Sequence, residues 1–461
     1  MTIEIAIIGS GLIGTLLALG LLHRDSPHFH IQVYEQAACH RELGAGIGFT
    51  RAARHCMMRL DPRLDECLRR VATDNGEPEA PDYNMRFVDG YHTYVGGDEA
   101  DEAEGNQPVG IEGKVYKLYA GPRGFEGCHR AQFLAEIMKL MPDGVVQFGK
   151  RLERYEYMTS GRIQLVFEDG TEREVDCVIG CDGIKSRVRE LLFPEGDYRP
   201  RYAHQLAYRG LIPMERAMAH LGRHHRRRLL LQHMHCGPHA HVLHFPVAHQ
   251  HLLNVVAFVP DPKDWDASAF TDPPSPNPTL TPKTHLLTHF QNWTPFVRTL
   301  LALLPTELTQ WPIFDLYENP PPTYAIARVC LAGDAAHAAS PHHGAGAGVG
   351  VEDALALVTA LECAETAIAR GKRATTTALE GALRAYSAVR YPRSQWVMRS
   401  SREVCRAYEW EMFEGEGEEA EEDTGMMARV MEEIRRRTMK VWECDVEEMI
   451  GEVQGLFWRG M

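Results

Sequence analysis

The chain lacks any apolar run long enough to cross a bilayer. The longest near its start, Leu12 to Leu22, is interrupted by Gly14 and Gly20 and suits a buried helix instead. No basic segment with a small-residue cleavage pattern opens the sequence, and no lipidation motif stands at either end. A secretory leader and a lipid anchor are therefore not expected, and a cytoplasmic location is. Positive charge is scarce: 49 Lys and Arg face 63 Asp and Glu, a formal charge of −14. Such a chain is a poor ligand for polyanions, so nucleic acid is not expected as a partner. The 11 cysteines contain no CxxC pair. An odd, scattered set in a chain of this size reads as free thiols in a reducing compartment, not as a disulfide framework. No repeat of fixed period is present, and Gly and Pro stand near average usage, which excludes collagen-like and low-complexity classes. What is left is ordinary globular composition over 461 residues, enough for two or three domains.

Three stretches read as loops. Residues 74–113 are rich in Gly, Asp and Glu, residues 271–282 are Pro-rich, and Glu414–Asp423 is an acidic tract expected to be solvated. Helical patterning resumes at Met426–Arg437 and Val441–Leu456.

The N-terminal unit carries the clearest chemistry. Ile3–Ile8 reads as a buried strand, Gly9-Ser10-Gly11-Leu12-Ile13-Gly14 follows at once, and a helix comes next. A second strand, Ile31–Tyr34, ends at Glu35, 21 residues beyond Gly14. Gly9 permits the tight turn, Gly11 lets backbone approach a pyrophosphate, and Gly14 allows close helix packing. The helix N-terminus offers free N–H groups to phosphate, and Glu35 is placed to accept from a ribose. This unit alone does not separate FAD from NAD.

Two later strands also end in aspartate turns. Asp176–Gly180 precedes Cys181-Asp182-Gly183, and Ala327–Ala332 precedes Gly333-Asp334. Ligands of open parallel sheets sit beyond the carboxyl ends of the strands, where such carboxylates meet sugar hydroxyls. The segment Pro341–Gly348 then leads into a long helical stretch, whose positive end suits an electron-rich ring.

The set GSGLIG with Glu35, CDGIKSR and GDAAH, in that order, resembles the group A FAD-dependent aromatic monooxygenases of the para-hydroxybenzoate hydroxylase superfamily. GAGIGF (44–49), HRAQFL (129–134), YRGLIPM (208–214), SPHHGAGAGVGVEDA (340–354) and VWECDVEE (441–448) are similar to the fungal salicylate hydroxylase-like subgroup. The resemblance implies an α/β fold: a Rossmann-like FAD-binding domain, an antiparallel-sheet substrate domain and C-terminal helices. The implied division is 1–75, 111–200 and 312–375 for FAD, 76–110 and 201–311 for substrate, and 376–461 for the helices. It further implies that Gly9, Gly11 and Gly14 cradle the FAD pyrophosphate and that Glu35 holds the adenosine ribose. Gly48 would lie near the cofactor, and Arg130 would reach its ribityl or phosphate portion. Asp182 would serve FAD and NAD(P)H, Asp334 the ribityl chain, and Gly346 and Ala347 the isoalloxazine. Ala345 and His343 stand where family members often carry Gln. The implied activity is NADPH- or NADH-consuming insertion of one atom of O2 into a phenolic, polyketide- or salicylate-like substrate through a C4a-hydroperoxyflavin, by a monomer or homodimer. Epoxidation, oxidative decarboxylation and hydroxylative dearomatisation remain open on the same scaffold, with a non-catalytic flavin-binding protein as a remote alternative.

On the substrate side, Leu229–His233, Ala240–Val247 and Leu252–Val259 read as antiparallel strands. In the subgroup an Arg at the place of Arg209 holds the substrate phenolate or carboxylate; a surface ion pair is the plainer reading of that residue. His241 or His244 stands where some members place a Tyr, and His241 is carried as the catalytic candidate. Seven histidines fall between 233 and 251. Most are expected to face solvent, some the pocket, and no metal site is expected because no recognisable ligand set is complete. His342 or His343 is a candidate for proton transfer, His343 being carried forward, and His337 is expected to pack within its turn.

Overall fold

A continuous apolar strand followed by a glycine turn demands a sheet covered on both faces, and that is how the chain begins. In this computed structural model, β1 (Ile3–Ile8), α1 (Leu12–His23) and β2 (Phe29–Glu35) open the chain, and β3 (Gly46–Phe49) leads into α2 (Arg51–Leu60). β4 (Asn84–Asp89), β5 (Val115–Tyr119), β6 (Glu126–His129), α3 (Arg130–Met138), β7 (Val146–Phe148), β8 (Cys177–Gly180) and α4 (Arg187–Leu192) follow. The middle of the chain supplies β9 (Arg201–Pro213), β10 (His233–Gly237), β11 (Ala240–Val247), β12 (Leu252–Pro260), β13 (Leu280–Pro282) and β14 (Glu307–Asp315). After β15 (Ala325–Ile326) and β16 (Val329–Leu331) come α5 (Gly346–Ala369), α6 (Thr375–Tyr408), α7 (Thr424–Trp442) and α8 (Val446–Arg459).

The structure describes residues 2–39, 46–92, 115–265, 280–412 and 424–460. Gly44 and Ala45 of GAGIGF, residues 93–113 and 271–279 of the loop-like stretches, and the acidic tract Glu414–Asp423 lie outside them. Among the described residues no helix is long and apolar enough to cross a membrane.

The first sheet runs β15-β16-β8-β1-β2-β7, parallel throughout except for the β15–β16 hairpin. Leu16, Leu17 and Leu21 of α1 and Leu355, Val358 and Leu361 of α5 are buried against it in one core. This is the doubly covered arrangement that near-continuous apolar strands require. The second sheet has eight strands in the order β13-β14-β9-β12-β11-β10-β4-β5, antiparallel except where β10 pairs with β4. Alternation along its strands gives it two different faces. Val242, Leu253, Val255, Ala257 and Val259 enter a separate apolar core with the helices Lys283–His289 and Pro295–Ala302. The residues between them on the opposite face look toward the first sheet.

Two strand expectations need correction. Leu229–His233 is not a strand: Arg226–Leu229 is a short helix, and the strand is His233–Gly237. Leu229 and Leu230 are buried at the end of that helix, and a short apolar run does not by itself distinguish a helical turn from a strand. The strand expected over 327–332 shrinks to Val329–Leu331, because Ala327 takes a φ of 49° in the hairpin turn. β5, which falls at the start of a segment assigned by sequence to the FAD unit, is an edge of the eight-stranded sheet.

Candidate active site

Between the two sheets lies a cavity of about 390 Å³. The wall toward the first sheet is built mostly of backbone. Gly9 has a φ of 101°, and a Cβ there would come within 2.6 Å of the Cys181 carbonyl oxygen, so only glycine makes this turn. A Cβ at Gly14 would overlap the Gly9 carbonyl oxygen, which lets α1 start directly under the loop. A Cβ at Gly11 would meet nothing nearer than Arg130 Nη2 at 3.9 Å, and both residues line the cavity. Neither α1 nor α5 has a side-chain cap at its N-terminus, and Gly11, Leu12, Gly346 and Ala347 all line the cavity. Two uncapped helix starts thus present free N–H groups and positive dipole ends to one space, as an anionic dinucleotide requires.

The carboxylates divide. Asp334 lines the cavity at the start of the turn after Gly333. Glu35 fastens the glycine loop: Oε2 accepts from Ser10 N at 2.8 Å and Ser10 Oγ at 3.1 Å, and Oε1 accepts from Ala37 N at 2.8 Å. Asp182 is turned onto its own chain, accepting from Ser186 Oγ at 2.6 Å and Val188 N at 3.0 Å, and burial pushes its carboxyl up. Both its oxygens are thus engaged near the start of α4, while its neighbours Cys181 and Gly183 line the cavity. Gly48 lines it too, pressed by the Phe125 ring. His337 does not stay within its turn as expected: it is buried and reaches across to α5, Nε2 lying 2.5 Å from Asp353 Oδ2.

The opposite wall is the alternating face of the eight-stranded sheet. Arg209 of β9, Met234 of β10, His241 and Leu243 of β11, and Asn254, Val256 and Phe258 of β12 share it. Arg209 stands out electrostatically. Its Nε is buried without a hydrogen-bond partner, and among the described residues no carboxylate pairs with it. Burial lowers its pKa, and its guanidinium lies over the Trp311 ring, 5.3 Å from the centroid. The surface ion pair considered from sequence is absent among the described residues.

Four of the clustered histidines overturn the expectation of solvent-facing side chains. His233, His235, His241 and His244 are buried. The first two each stack on His244 behind the sheet at 5.1 Å between ring centroids, because β10 and β11 alternate in step. His241 faces the cavity. Its Nδ1 lies 2.9 Å from Glu409 Oε1, its Nε2 lies 3.3 Å from His342 Nδ1, and Phe258 stacks on its ring at 4.4 Å. His343 also borders the cavity, but its Nε2 is held by Ser400 Oγ at 3.0 Å, and burial pushes its pKa down to about 3.

His241, His342 and Cys405 bring three metal-capable atoms within 4.8 Å of one another. The donor set suits proton sharing better than a cation. The two facing imidazole nitrogens are at hydrogen-bond distance, burial and the Glu409 carboxylate push the Cys405 thiol well up, and Gln205 Nε2 donates to its sulfur at 3.0 Å.

Sequence reasoning missed Glu409, which meets His241, and the cavity residues Tyr408 and Thr438, at the end of α6 and on α7. No quoted motif marks these three, whereas Trp442, also in the cavity lining, falls within VWECDVEE; Glu409 lies 168 residues from its partner His241.

The glycine turn, the uncapped helix starts and the antiparallel wall define a dinucleotide-binding α/β protein with a second ligand space beside the dinucleotide. Residues 298–401 match a family profile described as a FAD binding domain. The FAD-dependent monooxygenase pigN of Monascus ruber is 43% identical over 451 residues, spanning 97% of this chain and 95% of that protein. The salicylate hydroxylase asL1 of Sarocladium schorii is 40% identical over 463 residues, 98% of this chain and 90% of that one. A salicylate hydroxylase solved as a substrate complex superposes with a TM-score of 0.77 at 27% identity over 98% of both chains. The chain belongs to the FAD-dependent monooxygenases of the salicylate hydroxylase type.

Proposed function

We propose that this enzyme uses NADPH or NADH to insert one oxygen atom of O2 into a small phenolic substrate, of salicylate or aromatic polyketide type, bound between the FAD and the β9–β12 wall. Gly9, Gly11, Gly14 and Arg130 would hold the pyrophosphate end of FAD, Asp334 its ribityl chain, and Gly346 and Ala347 the ring. Glu35 would meet the ribose from the position in which it also ties down the glycine loop. When bound there, FAD supplies the redox chemistry, taking two electrons from the nicotinamide and activating O2.

The observation that carries the substrate class is Arg209. A guanidinium buried against a cavity, with no carboxylate among the described residues to neutralise it, favours an anionic guest. A phenolate is that guest, and ionisation makes the ring the stronger nucleophile that hydroxylation requires. Arg209 holds the phenolate oxygen and keeps its own proton. The apolar residues Leu243, Val256 and Phe258 exclude water around it, which strengthens the charge contact.

The test is anaerobic reduction of the flavin-loaded protein by NADPH, alone and with salicylates, resorcylic aldehydes and indoles. Acceleration by the phenols and not by the indoles is the expected result. Equal rates with every compound would remove the phenol assignment. Product mass then separates simple hydroxylation from dearomatisation, epoxidation and decarboxylation.

A further inference from the structure

We propose that Glu409, His241 and His342 form a proton relay that takes the phenolic proton out of the cavity, with Glu409 as its buried terminus. The inference rests on the phenol reading above and extends it to Glu409, a residue outside every quoted motif of the chain.

The directions of the hydrogen bonds follow from what each atom offers. The Glu409 carboxylate only accepts, so His241 Nδ1 donates to it across 2.9 Å. That leaves His241 Nε2 as an acceptor, so His342 Nδ1 donates to it across 3.3 Å. His342 Nε2 is then a free lone pair on a residue that lines the cavity, and it makes no hydrogen bond among the described residues. The chain is rigid. Phe258 packs on both imidazoles, with centroids 4.4 Å from His241 and 5.0 Å from His342. Gln205 Nε2 donates to both oxygens of Glu409, at 3.0 and 2.9 Å, and the Glu409 main chain is anchored by His239 N at 3.0 Å. Glu409 and His241 are both almost completely buried.

In the proton transfer the substrate O–H bond breaks and a bond forms at His342 Nε2. The proton on His342 Nδ1 passes to His241 Nε2, and the one on His241 Nδ1 passes to Glu409 Oε1. The phenolate remains beside Arg209, and neither imidazole keeps a positive charge. This matters because His342 is a poor resting place for a cation: burial, His241, His343 and Arg402 all push its pKa well down. The groups packed around the relay are Cys405, Tyr408, Arg402, His343 and Gln205. Of these Arg402 is committed to Asp315, at 2.6 Å and 2.9 Å. Among the described residues Glu409 is the one carboxylate in contact with the chain of imidazoles, so the β9–β12 side of the cavity has its cation at Arg209 and its anion at the far end of the relay. Glu409 acts through His241 and is a positioning and proton-accepting residue; His342 is the group that meets substrate.

Glu409→Gln in the FAD-loaded enzyme tests the relay, with Glu409→Asp as the conservative variant. Two probes are compared: 4-ethylresorcinol, which stays protonated near neutral pH, and 2,4-dihydroxy-5-nitrobenzaldehyde, which is already ionised there. With the first probe, Glu409→Gln should lower kcat/KM at least tenfold at pH 7, move the pH profile to higher pH, and recover as the probe ionises in solution. With the nitro compound the loss should be small, and Glu409→Asp should restore much of the activity on the first probe. Coincident pH profiles, or equal losses on both probes, would overturn the relay while leaving the phenol reading intact. NADPH consumption coupled to neither probe by the wild-type enzyme would count against the phenol reading itself. The relay is then read without substrate, and without dependence on the variant folding. The His241 Nδ1 proton should resonate downfield in the proton NMR spectrum of the holoenzyme, as an imidazole N–H held by a buried carboxylate requires. Its absence would overturn the relay.

Discussion

Replacing Asp353 by Asn isolates what a buried acid on α5 contributes to both the fold and the flavin site. Asp353 is completely buried and meets three donors: Gly333 N at 2.9 Å, His337 Nε2 at 2.5 Å and Arg390 Nε at 2.8 Å. Arg390 is completely buried as well and reaches Glu352 at 2.8 Å, a carboxylate that Arg393 shares at 2.7 Å. Two carboxylates thus face two guanidiniums. Burial by itself would raise the Asp353 carboxyl, but His337 and Arg390 outweigh it and hold the group at about 2. Asn keeps the shape but points an amide N–H at donors, and it leaves one guanidinium without its matching charge. Removing one partner from a buried ionic cluster costs roughly 3–5 kcal/mol. Unfolding entropy of about 2.1 cal/mol/K per residue gives about 1 kcal/mol per kelvin for 461 residues. The expected drop in Tm of the apoprotein is therefore roughly 3–5 °C, read by scanning calorimetry. Because the Gly333 N–H bond ties α5 to the turn that presents Asp334, FAD retention through gel filtration should fall as well. The folded carboxyl lies below its unfolded value, so its stabilisation is present above about pH 4 and is lost as pH falls toward about 2. The wild-type advantage over Asp353→Asn should shrink over that window. An unchanged Tm with full flavin content refutes this reasoning.

Arg209→Met should cut product formation on phenols by roughly a hundredfold or more while leaving the flavin reducible by NADPH; normal turnover, measured by product chromatography, would remove Arg209 from the site. Asp334→Ala should shed FAD during gel filtration, and full occupancy in the absorbance spectrum would count against its placement. Acid should destabilise the protein through the stacked His233, His235 and His244, which burial keeps neutral, His244 being pushed down to about 3. Their folded values lie below the unfolded one, so stability is lost as pH falls below about 6.5, by about 1.4 kcal/mol per pH unit for each group. His244→Gln should flatten the dependence of Tm on pH between neutrality and about pH 4; an unchanged slope would show that these rings already take up protons in the folded state.

The two halves of the cavity were not equally legible in the sequence, and the reason is what each is made of. The cofactor half is backbone: a turn that only Gly9 can make, a contact that only Gly14 allows, and the uncapped starts of α1 and α5. Backbone demands of this kind act over a few residues, so they leave contiguous signatures, and β1, α1 and the end of β2 stand where those signatures put them. Even there the local pattern told position and not partner. Glu35 was legible as an acid at the end of β2, but not as the group that accepts from Ser10, and the Asp182 turn was legible without its role at the start of α4. The substrate half is side chains brought together by register. Alternation along β11 assigns His241 and His244 to opposite faces, yet which face looks at the flavin depends on how one sheet lies over another. Glu409 meets His241 only because the end of α6 lands against β11, and no period or spacing in the chain encodes that meeting. If backbone holds the cofactor, and Arg209, His342 and the end of α6 hold the substrate as proposed, the first would tolerate wide variation in side chains and the second would not. Differences in substrate between this enzyme and its relatives should therefore track the residues facing β9–β12 from α6 and α7, such as Tyr408, Thr438 and Trp442, and not the glycine loop.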